Sequence, residues 1–180
     1  MRVVRLALAG FALLALASAT GAEEDNSALL VDLFAKICAA KPERPSQVER
    51  IATGLGLVSD GGPITAEMER GPKIDILYSA KLIRRGERLG SMTAYFAGPD
   101  DGPSVTCTVS AVGVSADALP GLIETSLKAR ERADKPSNDD NHRLASWRVG
   151  AGNGDMLEMS VWRTSPHRAS ISINYHATKR

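Results

Sequence analysis

The sequence lacks an excess of charge of either sign, and it lacks the spaced cysteines and histidines that hold a metal ion. Its formal net charge is +1 over 180 residues. A chain this close to neutrality has no long-range field to attract nucleic acid or an anionic membrane, so neither is expected as a partner. The two cysteines are not in CxxC spacing, and the three histidines include no HExxH motif. We therefore expect no metal ion, and no motif indicates another cofactor.

Long apolar runs are also scarce, and the clearest one lies at the beginning of the chain. Two arginines precede an apolar run over residues 6–17, and small residues follow it. This order predicts a signal peptide over residues 1–22, cleaved after Ala19 or Ala22, with an uncleaved anchor as the alternative. The run is shorter than the roughly 20 residues that cross a bilayer as a helix, so no transmembrane span is expected after cleavage. The mature protein is therefore predicted to be periplasmic or secreted.

The rest of the chain, residues 23–180, has the length of one ordinary domain. Both cysteines, Cys38 and Cys107, lie in it. Because an oxidising compartment favours pairing and an even count leaves no thiol over, we predict a disulfide between them. Two separate buried thiols, each behaving as a small hydrophobic side chain, are the alternative.

Two amphipathic helices are predicted at the front of this domain. The first spans residues 26–41, with apolar residues at helical spacing and Asn26 or Ser27 as the N-cap. The second begins at Ser46, where Ser46 and Glu49 match the capping-box pattern. Together they predict a helical hairpin.

A third helix is predicted in the middle of the domain. Ser115 or Asp117 is its expected N-cap, because a short polar side chain there can accept a hydrogen bond from a free backbone amide. Lys128, Arg130 and Arg132 suit its C-terminal end, where the helix dipole favours positive charge.

Between and after these helices the apolar period changes from about 3.6 to 2, which is typical of half-buried strands. Short links between successive strands favour antiparallel pairing, and the polar alternate positions indicate a sheet covered on one side only. The sequence thus predicts a two-layer α+β domain of order ααβββαβββ, with helices packed on one face of an antiparallel sheet of about six strands. Those strands are expected at residues 73–82, 91–97, 105–111, 143–149, 156–163 and 169–176.

One aromatic residue is out of place on the predicted polar face. Trp147 alternates with apolar residues and is expected in the core, whereas Trp162 alternates with polar ones. An indole on an open sheet face is a recognition anchor for a protein or a planar ligand. We therefore predict a non-catalytic binding or interaction module of the cell envelope, with an unknown protein or small ligand as its partner. The predicted binding residues are Trp162, Glu158, Asn174 and His176.

The alternative is a hydrolase whose Ser/His/Asp site assembles from distant residues, using His142, His167 or His176. All that favours it is the presence of these residue types, since no GxSxG motif occurs. A structural role in envelope assembly is a third possibility.

Two glycine-rich stretches, residues 54–62 and 150–155, are interpreted as turns. The Asp100-Asp101 and Asp139-Asp140 pairs are interpreted as solvated loops, because neither pair has the spacing of a calcium-binding loop.

Overall fold

The computed structural model describes residues 25–61, 64–66, 75–98, 103–115, 117–133, 142–150 and 156–176. The predicted signal peptide, both Asp-Asp pairs and most of the glycine-rich stretch at 150–155 lie outside these residues. Within the described segments, no helix is long and apolar enough to cross a membrane.

Three helices occur in the described residues: α1 at Ser27–Ile37, α2 at Pro45–Gly54 and α3 at Leu119–Ser126. The predicted capping box at the start of α2 is wrong. That helix begins one residue earlier, after the extended Arg44, and no side chain caps it. Proline at the first helical position explains this start, since its ring presets the helical φ and it has no amide to leave unpaired.

Helix α1 has the predicted Asn26 at its N-cap, although no side-chain hydrogen bond caps the helix, and α3 begins differently from the prediction. Asn26 stands at the N-cap of α1, but its side-chain amide donates to the Val112 carbonyl at 2.9 Å, and Asp25 accepts from the Ser27 amide at 3.0 Å. The N-cap of α3 is Ala118 rather than Ser115 or Asp117, and no side chain caps that helix.

The basic residues expected at the end of α3 instead belong to a strand. Lys128 adopts a positive φ of 51°, which turns the chain out of the helix. Arg130–Ala133 then pairs with a later strand, so Arg130 and Arg132 lie in the sheet. The predicted helix was therefore too long at its C-terminal end.

The predicted α+β class is confirmed, with an antiparallel sheet and helices against it. Six long strands coincide with those expected, and three short strands were not predicted. The short ones are β1 (Val58–Ser59), β2 (Ile64–Ala66) and β6 (Arg130–Ala133). The long ones are β3 (Asp75–Arg84), β4 (Glu87–Ala97), β5 (Ser104–Val112), β7 (His142–Gly150), β8 (Met156–Ser165) and β9 (Arg168–His176).

The sheet has the order β1-β3-β4-β5-β9-β8-β7-β6, with β2 pairing beside β1 on β3. The two halves of the sheet have the same arrangement: each has a short strand at its edge, three long antiparallel strands and one helix. The helix is α2 in the first half and α3 in the second, and α1 precedes both. The two halves meet only through β5 and β9 among the described strand pairs.

The core lies between the sheet and the helices. Alternate residues of the long strands face it, including the four buried positions 105, 107, 109 and 111 of β5. Helix α1 lies over β5 and β9 and also contacts α2 and α3, while α2 lies over β1, β3 and β4. The predicted disulfide is present and joins Cys38, just after α1, to Cys107 in the middle of β5.

Removing this disulfide should destabilise the protein without changing its fold. The bond closes a loop with a sequence separation of 69 residues, and loop-closure entropy assigns such a bond about 4 kcal/mol. We expect the Cys38→Ala/Cys107→Ala protein to lose roughly that much free energy of unfolding in urea titrations. An unchanged urea midpoint would show that the covalent link does not restrict the unfolded chain.

Candidate functional site

A cavity bounded by described residues lies beneath the beginning of α2, at the end of the sheet where β3 begins and β4 ends. It has a volume of about 580 Å³. We call it the α2 cavity. Its walls are apolar side chains of the sheet and two prolines, and its mouth carries charged and polar side chains of the α1–α2 link and of α2. The lining residues are Ile76, Tyr78, Phe96, Gly98, Pro103 and Pro45 in the walls, with Glu43, Arg44, Ser46 and Glu49 at the mouth.

Tyr78 is the unusual residue of this cavity. Tyr78 is only 1% exposed, and its hydroxyl, which has almost no accessible surface, makes no well-aligned hydrogen bond among the described residues. Burial raises the pKa of this phenol, the Ser59 side chain lowers it as a hydrogen-bonding neighbour, and the Glu49 carboxylate raises it. The neutral phenol therefore persists as a hydrogen-bond donor in a low-dielectric wall, where an unmade hydrogen bond costs free energy.

Tyr175 shows how this fold treats a buried phenol when it has a structural role. Its hydroxyl donates to the Pro42 carbonyl at 2.7 Å, tying the end of β9 to the link between α1 and α2. Burial also raises the pKa of Tyr175, and the Glu43 carboxylate contributes in the same direction. The two tyrosines are thus similar in burial and differ in whether the hydroxyl is satisfied.

The second half of the fold gives a similar contrast. Trp147 on β7 is 1% exposed, as predicted, and its indole donates to the Glu124 carboxylate of α3 at 3.3 Å. Tyr78 on β3 and Glu49 of α2 occupy related places in the first half, but no hydrogen bond joins them. The space beneath α2 is therefore open at a place where the other half of the fold makes a direct contact.

The opposite face of the sheet carries no helix in the described structure and is rich in hydroxyl groups. Thr108 and Ser172 bond to each other at 3.0 Å, and Thr106 donates to Asn174 at 2.7 Å. One row of directly paired residues crosses six neighbouring strands: Ser79, Thr93, Thr108, Ser172, Ser160 and Ser146. These hydroxyls partly satisfy one another, so the face is polar without being strongly charged.

The predicted binding residues lie on this open face but do not form one cluster. Trp162 is 37% exposed and pairs with Ser170 of β9. Asn174 and His176 are further along β9, and Glu158 is at the same distant end of β8. Four residues of strand separate Trp162 from Glu158, or about 13 Å. The structure thus places them in two groups rather than around one pocket.

The histidines of the alternative hydrolase are also dispersed. His142 begins β7, one residue before the strand expected at 143–149, and pairs with β8. His167 is in the β8–β9 turn, and His176 ends β9. Near His167, the Ser27 hydroxyl donates to Asp25 and accepts from the Ser115 amide at 2.9 Å. Both contacts fasten the start of α1, and the hydrolase remains a prediction.

The glycine-rich stretch after α2 acts as a helix end. Gly56 adopts a φ of 78°, and the following Leu57 amide bonds back to the Ala52 carbonyl at 2.9 Å. Such a left-handed residue closes a helix rather than binding phosphate. The second glycine-rich stretch connects β7 to β8, whose antiparallel pairing begins at Gly150 and Met156.

Comparison of the chain with protein-family models, with curated proteins and with solved structures finds no match. The α2 cavity was not predicted from the sequence. A signal for it existed in Tyr78, the one hydroxyl-bearing residue on the otherwise apolar inner face predicted for that strand.

The two buried tyrosines should respond oppositely to loss of the hydroxyl. Tyr78→Phe removes an unpartnered donor, so its free energy of unfolding should be unchanged or higher by up to about 1 kcal/mol. Tyr175→Phe leaves the Pro42 carbonyl unpaired and should lower it by about 1 kcal/mol. Urea titrations of both variants measure the difference. An equal loss in both would mean that the Tyr78 hydroxyl has a partner in the folded protein.

Proposed function

We propose that this protein is a non-catalytic binding module, which holds a small ligand with an apolar body and a hydrogen-bond acceptor in the α2 cavity. The observation that carries this proposal is the α2 cavity itself, with its volume of about 580 Å³ and its largely apolar walls. The exposed donors of Arg44 and Ser46 at the mouth are within reach of an acceptor on the ligand. The surrounding apolar walls would remove the rest of the ligand from water.

The size and chemistry of the cavity support binding over catalysis. Small-molecule sites are mostly apolar clefts of roughly 300–1,000 Å³ with few polar groups that fix the orientation of the ligand, and the α2 cavity has a volume of about 580 Å³. Its described lining contains neither histidine nor cysteine, and its one serine, Ser46, is exposed at the mouth. Glu43, Arg44 and Glu49 leave the mouth with mixed charge, which favours a neutral ligand.

We place this activity outside the cytoplasm, in the periplasm or the secreted fraction. The disulfide fits an oxidising compartment, and the first 22 residues have the layout of a signal peptide. Processing after Ala19 or Ala22 belongs to the same proposal.

The naphthalene ketone prodan is a suitable probe, since it has an apolar body, a carbonyl acceptor and no charge. We expect its fluorescence to shift to the blue with saturation at one molecule per protein. Ser46→Trp should abolish this shift because it places an indole at the cavity mouth. Tyr78→Phe should leave prodan binding unchanged, because the Tyr78 hydroxyl has almost no accessible surface.

The matched control is Thr53→Trp, an equally large change at an exposed position of the same helix that lies outside the cavity lining. It should bind prodan as the wild type does. Absence of saturable binding, or equal effects of the two tryptophan substitutions, would contradict the α2 cavity as the ligand site.

We propose the open sheet face as a second contact surface, used for a protein partner. Its specific support is Trp162, whose large indole is more than one third exposed on a sheet face of hydroxyl groups. Glu158, Asn174 and His176 would form a second contact group at the other end of the same face. A surface with two separated groups suits an extended macromolecular partner better than a small molecule.

Substitution of the two tryptophans by alanine should show which indole is part of the core and which belongs to the binding surface. Trp147→Ala should lower the free energy of unfolding by about 3–5 kcal/mol, since it empties a buried site. Trp162→Ala should lower it by less than about 1 kcal/mol and should abolish crosslinking to a discrete partner in an envelope extract. If Trp162→Ala unfolds the domain, its indole is structural and this contact surface is wrong.

A further inference from the structure

A separate cavity lies at the opposite end of the sheet from the α2 cavity, where β5 and β8 end. It has a volume of about 380 Å³, and we call it the Arg163 cavity. The start of α1, the link between β5 and α3 and the β8–β9 turn border it, and it is open to solvent. Its lining residues are Asp25, Gly113, Val114, Ser115, Asp117, Arg163, Pro166 and His167.

Arg163 is the residue that distinguishes this cavity. Its Nε is buried and has no hydrogen-bond partner among the described residues. A guanidinium is always charged and carries donors in a planar fork that matches a carboxylate. Nε has almost no accessible surface, so an anion in the cavity would meet the other donors of this guanidinium. No carboxylate of the described residues forms an ion pair with Arg163, so its charge is left for a ligand anion to neutralise.

Two carboxylates share this cavity with Arg163 without neutralising it. Asp25 uses its Oδ1 within the fold, where it accepts from the Ser27 amide at 3.0 Å, from the Ser27 hydroxyl and from the Ser115 amide at 3.4 Å, and its Oδ2 takes no part in these bonds. These bonds, with the Ser27 hydroxyl foremost, lower the pKa of Asp25, so its carboxylate remains charged. Asp117 is exposed and forms no ion pair with Arg163 in the described structure.

Backbone hydrogen bonds hold the segments that carry Arg163 and the two aspartates, so the fold itself keeps the positive and negative groups apart. The Val114 amide bonds to the His167 carbonyl at 3.3 Å, and the Asn26 amide bonds to the Gly113 carbonyl at 2.7 Å. The first bond ties the β5–α3 link to the β8–β9 turn, and the second ties it to the start of α1. The arginine and the two carboxylates are therefore held on three different elements around one space.

We propose that the Arg163 cavity binds a free α-amino acid through both of its charges. Arg163 would receive the α-carboxylate, and Asp117 together with Asp25 would receive the α-ammonium group. A metal ion is a poorer occupant, since no three His, Cys, Asp or Glu residues of the described structure are grouped as metal ligands. A simple inorganic anion would satisfy Arg163 but would face two carboxylates, whereas a zwitterion complements both signs of charge.

Calorimetric titration with L-alanine and two derivatives tests this assignment. N-acetyl-L-alanine retains only the carboxylate, and L-alaninamide retains only the ammonium group. We expect saturable binding of L-alanine and at least about tenfold weaker binding of each derivative, the loss expected for one charged hydrogen-bonding group. Inorganic sulfate, offered alone, should bind no better than N-acetyl-L-alanine.

Variants of both charged walls complete the experiment. Arg163→Gln and Asp117→Asn should each weaken L-alanine binding by at least about tenfold, with folding checked by thermal unfolding. Arg168→Gln is the matched control, because this exposed arginine belongs to the β9 end of the same turn and does not line the Arg163 cavity. The Ser46→Trp variant should bind L-alanine as the wild type does, because the new indole fills only the α2 cavity. Loss of prodan binding at the α2 cavity and loss of L-alanine binding at the Arg163 cavity can therefore be measured independently.

Three results would overturn the proposal. Equal binding of L-alanine and N-acetyl-L-alanine would define a plain anion site. Absence of saturable L-alanine binding to the folded wild-type protein would leave Arg163 as a structural residue. Unchanged L-alanine binding in Arg163→Gln would place the amino acid elsewhere.

Discussion

The antiparallel ladder between β5 and β9 is the interaction on which the rest of this structure depends. It runs in unbroken register from Ser104 opposite His176 to Val112 opposite Arg168. Each half of the fold brings three long strands and one short helix, which is a small core for an independent unit. The ladder joins the two halves into one sheet, and Cys107 at its middle attaches α1 to the joint.

Three short helices must then cover a wide sheet. Eight strands side by side extend over about 34 Å, whereas α1, with 11 residues, is the longest described helix and measures about 16 Å. Helix α1 lies over the central pair β5 and β9, and α2 lies over the strands of the first half. Both the α2 cavity and the Arg163 cavity lie at the ends of strands, where the chain links a strand or turn to a helix.

The sequence was sufficient for the features that depend on local pattern. Period-two alternation predicted all six long strands, the disulfide followed from two cysteines in a chain predicted to be exported, and Trp147 was expected in the core. The short strands β1, β2 and β6 have two to four residues, too few for any period to show. The Ser46 capping box failed because Pro45, one residue earlier, was the stronger start for α2.

The candidate sites were harder to predict because they depend on long-range pairing. Register between β8 and β9 decides that Trp162 lies opposite Ser170, and so decides its distance from Asn174 on the same face. The Arg163 cavity requires residues from the beginning, middle and end of the chain to meet. Alternation in a single strand carries no information on either relation, since both are set by which strands pair and in what register.

The two cavities have one physical property in common. Among the described residues, the Tyr78 hydroxyl and the Arg163 Nε are the buried side-chain atoms of nitrogen or oxygen without a hydrogen-bond partner, and each residue lines one cavity. Elsewhere the fold satisfies buried polar groups, as Tyr175 with Pro42 and Trp147 with Glu124 show. Folded proteins leave few such groups unpaired, because each lowers stability. Because both atoms have almost no accessible surface, a ligand would contact other atoms of the two residues, and the unpaired groups mark where packing beside each cavity is least complete.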